Sequence, residues 1–60
     1  MKTRELRRIL RESGCTYVRS AGSHEIWRTA DGTTLPPFRH GHAEVSEGVR
    51  VSVLRALRRS

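Results

Sequence analysis

Apolar residues along the 60-residue chain form two helical stretches near its ends and three strand-like stretches between them. In the first helical stretch, Leu6, Ile9 and Leu10 recur at the spacing of one helix face. Threonine is a common N-cap residue, and glycine commonly ends a helix in a left-handed conformation. We therefore predict a first helix over Thr3–Ser13, capped by the threonine at its start and stopped by Gly14.

A second helical stretch lies near the end of the chain. Its apolar stripe consists of Val49, Val53, Ala56 and Leu57. Ser46 is a favourable N-cap, and the acidic Glu47 follows it, where a negative charge suits the helix dipole. The sequence predicts a last helix from Glu47 to about Arg58.

Between the helices, β-branched and aromatic residues alternate with turn residues. The predicted strands are Cys15–Arg19, Ser23–Thr29 and Thr33–Leu35. We expect 30–32 to form a hairpin turn, Pro36 and Pro37 to end the third strand, and Phe38–Ser46 to be a loop. The predicted fold is a single α+β domain over residues 1–60, ordered α-β-β-β-α, with both helices on one face of a three-stranded antiparallel sheet.

The second strand leaves one orientation open. Its two alternating sets are His24, Ile26 and Arg28, and Ser23, Glu25 and Trp27. Ile26 and Trp27 cannot both point into a one-sided core. His24 therefore lies either at the edge of the covered face or on the open face, and the pattern allows both.

The charge balance favours a polyanionic partner. Twelve Lys and Arg residues against six Asp and Glu give a net charge of +6, and eleven of the twelve cations are arginine. The planar guanidinium binds phosphate bidentately, which favours RNA or DNA, although an acidic protein or a merely solvated basic surface fits as well. No stretch has the ~20 apolar residues of a membrane span, and a lone Cys15 indicates no oxidising compartment, so we expect a cytoplasmic protein.

His24 is the residue best suited to catalysis. Imidazole exchanges protons near neutral pH, and RNA carries its own nucleophile in the 2′-hydroxyl. A base that removes this proton, with cations over the developing charge, cleaves RNA without a metal or another cofactor, whereas DNA lacks the hydroxyl. His40 and His42 could suggest a metal site, but no cysteine or carboxylate set accompanies them. We expect solvated histidines there, one of which could protonate the leaving 5′-oxygen.

The residues around His24 resemble a known family. Four stretches are similar to HicA toxins of bacterial type II toxin–antitoxin systems. They are the opening Met1–Leu6, the pair Gly14-Cys15, the run Arg19–Trp27 with its Gly-Ser-His segment, and Ser46–Val49 ahead of a last helix. The resemblance covers nearly the whole chain. The loop with two histidines is longer than the family's usual proline–histidine loop.

The resemblance implies a double-stranded-RNA-binding-domain-like fold and an mRNA interferase in which His24 is catalytic. It also implies a HicB-like antitoxin that covers the His24 site. The toxin is then expected to contact DNA only indirectly, through the antitoxin. The predicted RNA-binding residues are Lys2, Arg19, Gly22, Ser23 and Arg28. Two alternatives remain: a non-catalytic RNA-binding module with an arginine-rich surface, and a small subunit that docks on an acidic protein.

Overall fold

Two helices and three antiparallel strands form the fold, in the order predicted from the sequence. The computed structural model describes residues 1–39 and 44–60. Its elements are α1 (Thr3–Glu12), β1 (Thr16–Ala21), β2 (His24–Arg28), β3 (Phe38–Arg39) and α2 (Glu47–Arg59). The prediction of an α+β fold with the order α-β-β-β-α is confirmed.

The sheet has the order β1-β2-β3, so β2 lies in its centre. A two-residue hairpin, Gly22-Ser23, joins β1 to β2, because Ala21 pairs directly with His24. Gly22 has a φ of 61°, while no residue other than glycine has a positive φ in the described chain. A positive φ at the first central position alone is the pattern of a type II′ turn, which favours glycine there.

Both helices cover the same face of the sheet. The buried core contains Leu6 and Leu10 from α1, Val53 from α2, and Trp27 and Phe38 from the sheet. Burying these side chains is the main stabilising contribution that so small a chain can make. The predicted apolar stripes of the helices are therefore the faces that meet the sheet.

The helix ends follow the sequence prediction in α2 and at Gly14, which follows α1 with a left-handed φ of 85°, and differ from it at the start of α1. Ser46 caps α2, its Oγ accepting a hydrogen bond from the Val49 amide at 3.3 Å. The prediction that Thr3 caps α1 is wrong: the cap position belongs to the extended Lys2, and Thr3 is the first helical residue. Leu6 belongs to the core, and placing it there draws Thr3 inward, where its hydroxyl is buried without a hydrogen-bond partner. Among the described residues, no helix is long and apolar enough to cross a membrane.

The third strand lies after the two prolines, not before them. In the predicted strand Thr33–Leu35, Thr34 makes only an isolated bridge, with Arg28. The proline pair then interrupts the ladder, since proline has no N–H to donate, and the chain rejoins β2 at Phe38. The prediction that 38–46 is entirely a loop is thus wrong for Phe38–Arg39, because Phe38 is buried in the core. His40 and His42 lie outside the described residues.

Candidate active site

His24 lies on the open face of the sheet, which the helices leave uncovered. Glu25 and Trp27 are 2% and 3% exposed, whereas His24 and Arg28 are exposed. Side chains alternate along a strand, so the set that contains Trp27 faces the core and the set that contains His24 faces outward. The orientation that the sequence left open is thereby decided.

A carboxylate in the core explains why this orientation is stable. Glu25 accepts a hydrogen bond from Arg7 Nε of α1 at 2.9 Å and forms an ion pair with Arg7 Nη2. Its other oxygen accepts a hydrogen bond from the Trp27 indole at 2.9 Å. The hydrogen bond to Glu25 raises the pKa of the Arg7 guanidinium. A charged residue can therefore occupy the buried position, while the apolar Ile26 is half-buried on the other face.

A β-bulge brings a predicted cation to the face of His24. Tyr17 pairs with Trp27 and Arg19 pairs with Ile26, so the register shifts by one residue between them. Directly paired residues point to the same side of a sheet, which places Arg19 on the open face with Ile26. Arg28, paired with Thr16, lies on the same face, four residues along β2 from His24.

The structure adds Arg39, which the sequence analysis missed. Arg39 of β3 is the direct partner of His24 of β2. Cβ atoms of such pairs lie about 5 Å apart on one face, so both side chains can reach one phosphate group. The sequence analysis missed this pairing because it placed the third strand before the two prolines. Recognising Phe38 as a buried strand residue would have indicated that Arg39, the residue after it, faces outward.

A cavity opens beside His24, where β2 begins and β3 ends. Its volume is about 280 Å³. It is lined by His24, Pro37, Phe38, Arg39, Glu44, Val45, Ser46 and Val49. The lining thus combines the polar side chains of His24, Arg39, Glu44 and Ser46 with apolar side chains that include Val49 in the first turn of α2.

Glu44 contributes one carboxylate to the lining of this cavity. The N-terminal ammonium of Met1, 3.2 Å away, and more weakly Lys2 Nζ, 3.6 Å away, lower the pKa of the Glu44 carboxyl. Glu44 is therefore ionised at neutral pH, and the two cations offset its charge. Lys2, a predicted RNA-binding residue, is held at this carboxylate, close to the cavity.

The other predicted site residues are the two in the hairpin. Gly22 and Ser23 are exposed in the turn that precedes His24. A side chain added at Gly22 would meet open space, so the turn conformation is what requires glycine at this position. The structure thus brings Arg19, Gly22, Ser23 and Arg28 to the end or face of the sheet that carries His24.

The remaining reactive groups lie elsewhere. Cys15 is buried in the core, and its burial raises the pKa of the thiol, which disfavours the nucleophilic thiolate. Trp27 and Phe38 belong to the core, and Tyr17 packs edge-on against Trp27 with ring centroids 5.8 Å apart. Residues 1–39 and 44–60 contain no group of three or more potential metal ligands.

One comparison with known proteins gives a match. Residues 3–58, nearly the whole chain, match the family model described as HicA toxin of bacterial toxin-antitoxin. No curated protein and no solved structure matches the chain. The family match confirms the resemblance seen in the sequence.

Proposed function

The chain belongs to the HicA toxin family, and is thus a toxin with an antitoxin as its partner; we propose that it acts as a metal-independent endoribonuclease on mRNA. The observation that carries the proposal is the exposed His24 on the open face, opposite a guanidinium in the register and beside a cavity. A proton-transfer group next to a cation is the minimum that metal-free cleavage of RNA requires.

His24 acts as the general base in this proposal. Its imidazole removes the proton of the ribose 2′-hydroxyl, and the 2′-oxygen attacks the adjacent phosphorus. The bond from phosphorus to the 5′-oxygen breaks, giving a 2′,3′-cyclic phosphate and a 5′-hydroxyl once the leaving oxygen gains a proton. The exposure of His24 supports this role, because the substrate strand can approach it without any movement of the core.

The open-face cations bind the RNA strand. Arg19, opposite Ile26, and Arg28, at the end of β2, lie at increasing distance from His24 in one direction along the sheet, so they suit phosphates further along the RNA strand rather than the reacting one. Gly22 and Ser23 form the hairpin turn beside His24, where the RNA backbone can contact them. Lys2 contacts Glu44, so it binds the RNA at the end of this surface that lies beside the cavity.

A HicB-like antitoxin covers the His24 site. The helices bury one face of the sheet and leave the other to solvent, so a partner that shields His24 must occupy the open face. The antitoxin surface there would be acidic, matching the arginines by charge. DNA contact by the complex then comes from the antitoxin.

The test is cleavage of a long single-stranded RNA in EDTA by the wild type and by His24→Ala. We expect the wild type alone to cleave, with both proteins folded by circular dichroism and both binding the RNA. A substrate with 2′-deoxyribose at the cleavage sites should bind and stay intact. Equal cleavage by the two proteins would remove His24 from the mechanism. Binding without cleavage by either protein would favour the non-catalytic RNA-binding module.

A further inference from the structure

We infer that the cavity beside His24 is a subsite for one nucleotide of the RNA, with Arg39 holding its phosphate and the apolar part of the lining receiving its base. The inference rests on the proposed function and adds to it a phosphate-binding residue and a place where base identity is read. Three observations carry it: the pairing of Arg39 with His24, the mixed lining of the cavity, and the absence of an ion pair at Arg39 within the described residues.

Arg39 is the cation best placed to hold the reacting phosphate. It is the cross-strand partner of His24, whereas Arg28 lies four residues away along β2, a distance of about 13 Å. Within the described chain, Arg39 takes part in no ion pair, so its guanidinium is available to a ligand. A planar guanidinium next to His24, the general base, can bind two phosphate oxygens and stabilise the charge that develops on them.

The apolar part of the lining suits a base rather than a second phosphate. Pro37, Phe38, Val45 and Val49 contribute this apolar surface. The volume, about 280 Å³, is just below the ~300–1,000 Å³ usual for small-molecule sites, so one base fits and a longer stretch does not.

Charge fixes the orientation of the nucleotide in the cavity. Arg39 takes part in no ion pair in the described chain and attracts the phosphate, whereas Glu44 is already paired with two cations, so the phosphate goes to Arg39 and the base to the remaining lining. Carboxylate oxygens accept hydrogen bonds from amino and imino groups of bases, and Ser46 still has its O–H to donate while its oxygen caps the helix. These groups can discriminate among bases.

Two matched pairs of variants test the subsite in the cleavage reaction. Arg39→Gln removes the cation beside His24, and Arg58→Gln removes an exposed cation near the end of α2. We expect kcat to fall about 100-fold for Arg39→Gln, as it does when one transition-state donor is lost, and by no more than about twofold for Arg58→Gln. Equal rates for these two variants, with the wild type active and His24→Ala inactive, would overturn the role of Arg39.

Val49→Phe fills the cavity, and Val51→Phe adds the same ring two residues away on α2, outside the cavity lining. We expect Val49→Phe alone to change which sites in a mixed-sequence RNA are cut and to lower kcat/KM at least tenfold. Thermal unfolding of each variant separates this effect from a loss of folding. An unchanged cleavage pattern in a folded Val49→Phe would overturn the base subsite.

A binding measurement on the wild type separates the subsite from the proposed activity. The four nucleoside 3′-monophosphates are titrated in turn while backbone amide shifts are followed by NMR. Saturable shifts at Phe38, Arg39 and Val49, with one base preferred, support the subsite even if no RNA is cleaved. Shifts spread over exposed arginines without saturation would overturn it, even if the His24 experiment succeeds.

Discussion

At the scale of single residues, the orientation of His24 depends on its neighbour in the strand. Glu25 and His24 are adjacent, so one must face the core and the other the solvent. The contacts of Glu25 with Arg7 and Trp27 hold the carboxylate inward, and His24 is therefore held outward. A slip of one residue would bury the imidazole, which makes Glu25 a determinant of the site without touching substrate.

Replacing Glu25 with alanine should strongly destabilise the fold. The substitution leaves the Arg7 guanidinium without its carboxylate and the Trp27 N–H without an acceptor, and removing one partner of a buried ion pair costs about 3 kcal/mol or more. Small domains have a free energy of unfolding of only about 5 kcal/mol, so the variant should retain about 2 kcal/mol or less and unfold at a much lower urea concentration than the wild type. Urea unfolding followed by tryptophan fluorescence measures the change.

Glu12→Ala is the matched control for this prediction. Glu12 is exposed and contacts Arg8 at 3.5 Å, four residues away on α1. Exposed pairs of this kind contribute about 0.5 kcal/mol or less. If Glu25→Ala cost no more than Glu12→Ala, the buried ion pair would not be what orients β2.

At the scale of elements, the hairpin between β1 and β2 sets the position of His24. Two residues connect the strands, so the turn conformation fixes which residues pair and therefore that His24 begins β2. The turn needs a positive φ at Gly22, and a residue with a Cβ adopts that conformation only with strain.

Gly22→Ala should destabilise the fold, whereas Gly48→Ala should stabilise it. Both added methyl groups would meet open space, so the backbone alone decides the outcome. Alanine at the positive φ of Gly22 costs about 1 kcal/mol, while alanine in the first turn of α2 gains about 0.5 kcal/mol by restricting the unfolded chain. Thermal unfolding of the two variants checks the opposite signs. A stabilising Gly22→Ala would contradict the type II′ turn.

The helices were predictable because their signals are local. The apolar spacing around Leu6 and Leu10 and the serine cap of α2 each lie within one element, and the structure has both. The cap of α1 failed because Thr3, a good cap by type, is drawn into the core. Local preference competes there with burial, and burial decides.

The third strand and its site residue were not predictable from local pattern. Two prolines are a strong signal for the end of a strand, yet here they interrupt a chain that returns to β2. What brings it back is the burial of Phe38 in the core to which both helices contribute, which joins distant parts of the sequence. Arg39 became a site residue through that contact, and the bulge before Arg19 likewise appears only in the paired strands.

At the scale of the whole molecule, the charges divide between paired and available cations. Within residues 1–39 and 44–60, the ion pairs of arginine side chains are those of Arg7, Arg8 and Arg50. The arginines of the open face are Arg19, Arg28 and Arg39, and none of them takes part in an ion pair there. The open face, which carries His24, thus presents to a ligand three cations that are unpaired within the described residues, while the other unpaired arginines there, Arg4, Arg11, Arg55, Arg58 and Arg59, lie on the helices.

RNA affinity should accordingly depend on salt through the open face. If the three open-face arginines each neutralise one phosphate of a single strand, log K falls against log salt with a slope of about −2, or about twentyfold between 50 and 200 mM. Fluorescence anisotropy with a labelled RNA and the non-cleaving His24→Ala protein measures the slope.

Adding Arg19→Gln to the His24→Ala protein should reduce the slope to about −1.4, because one fewer counterion is released. Adding Arg8→Gln should leave the slope near −2, since Arg8 is already paired with Glu12 on the exposed side of α1. Equal slopes for the two arginine variants would place the RNA elsewhere on the surface. An absence of RNA binding at moderate salt would favour a subunit that docks on an acidic protein.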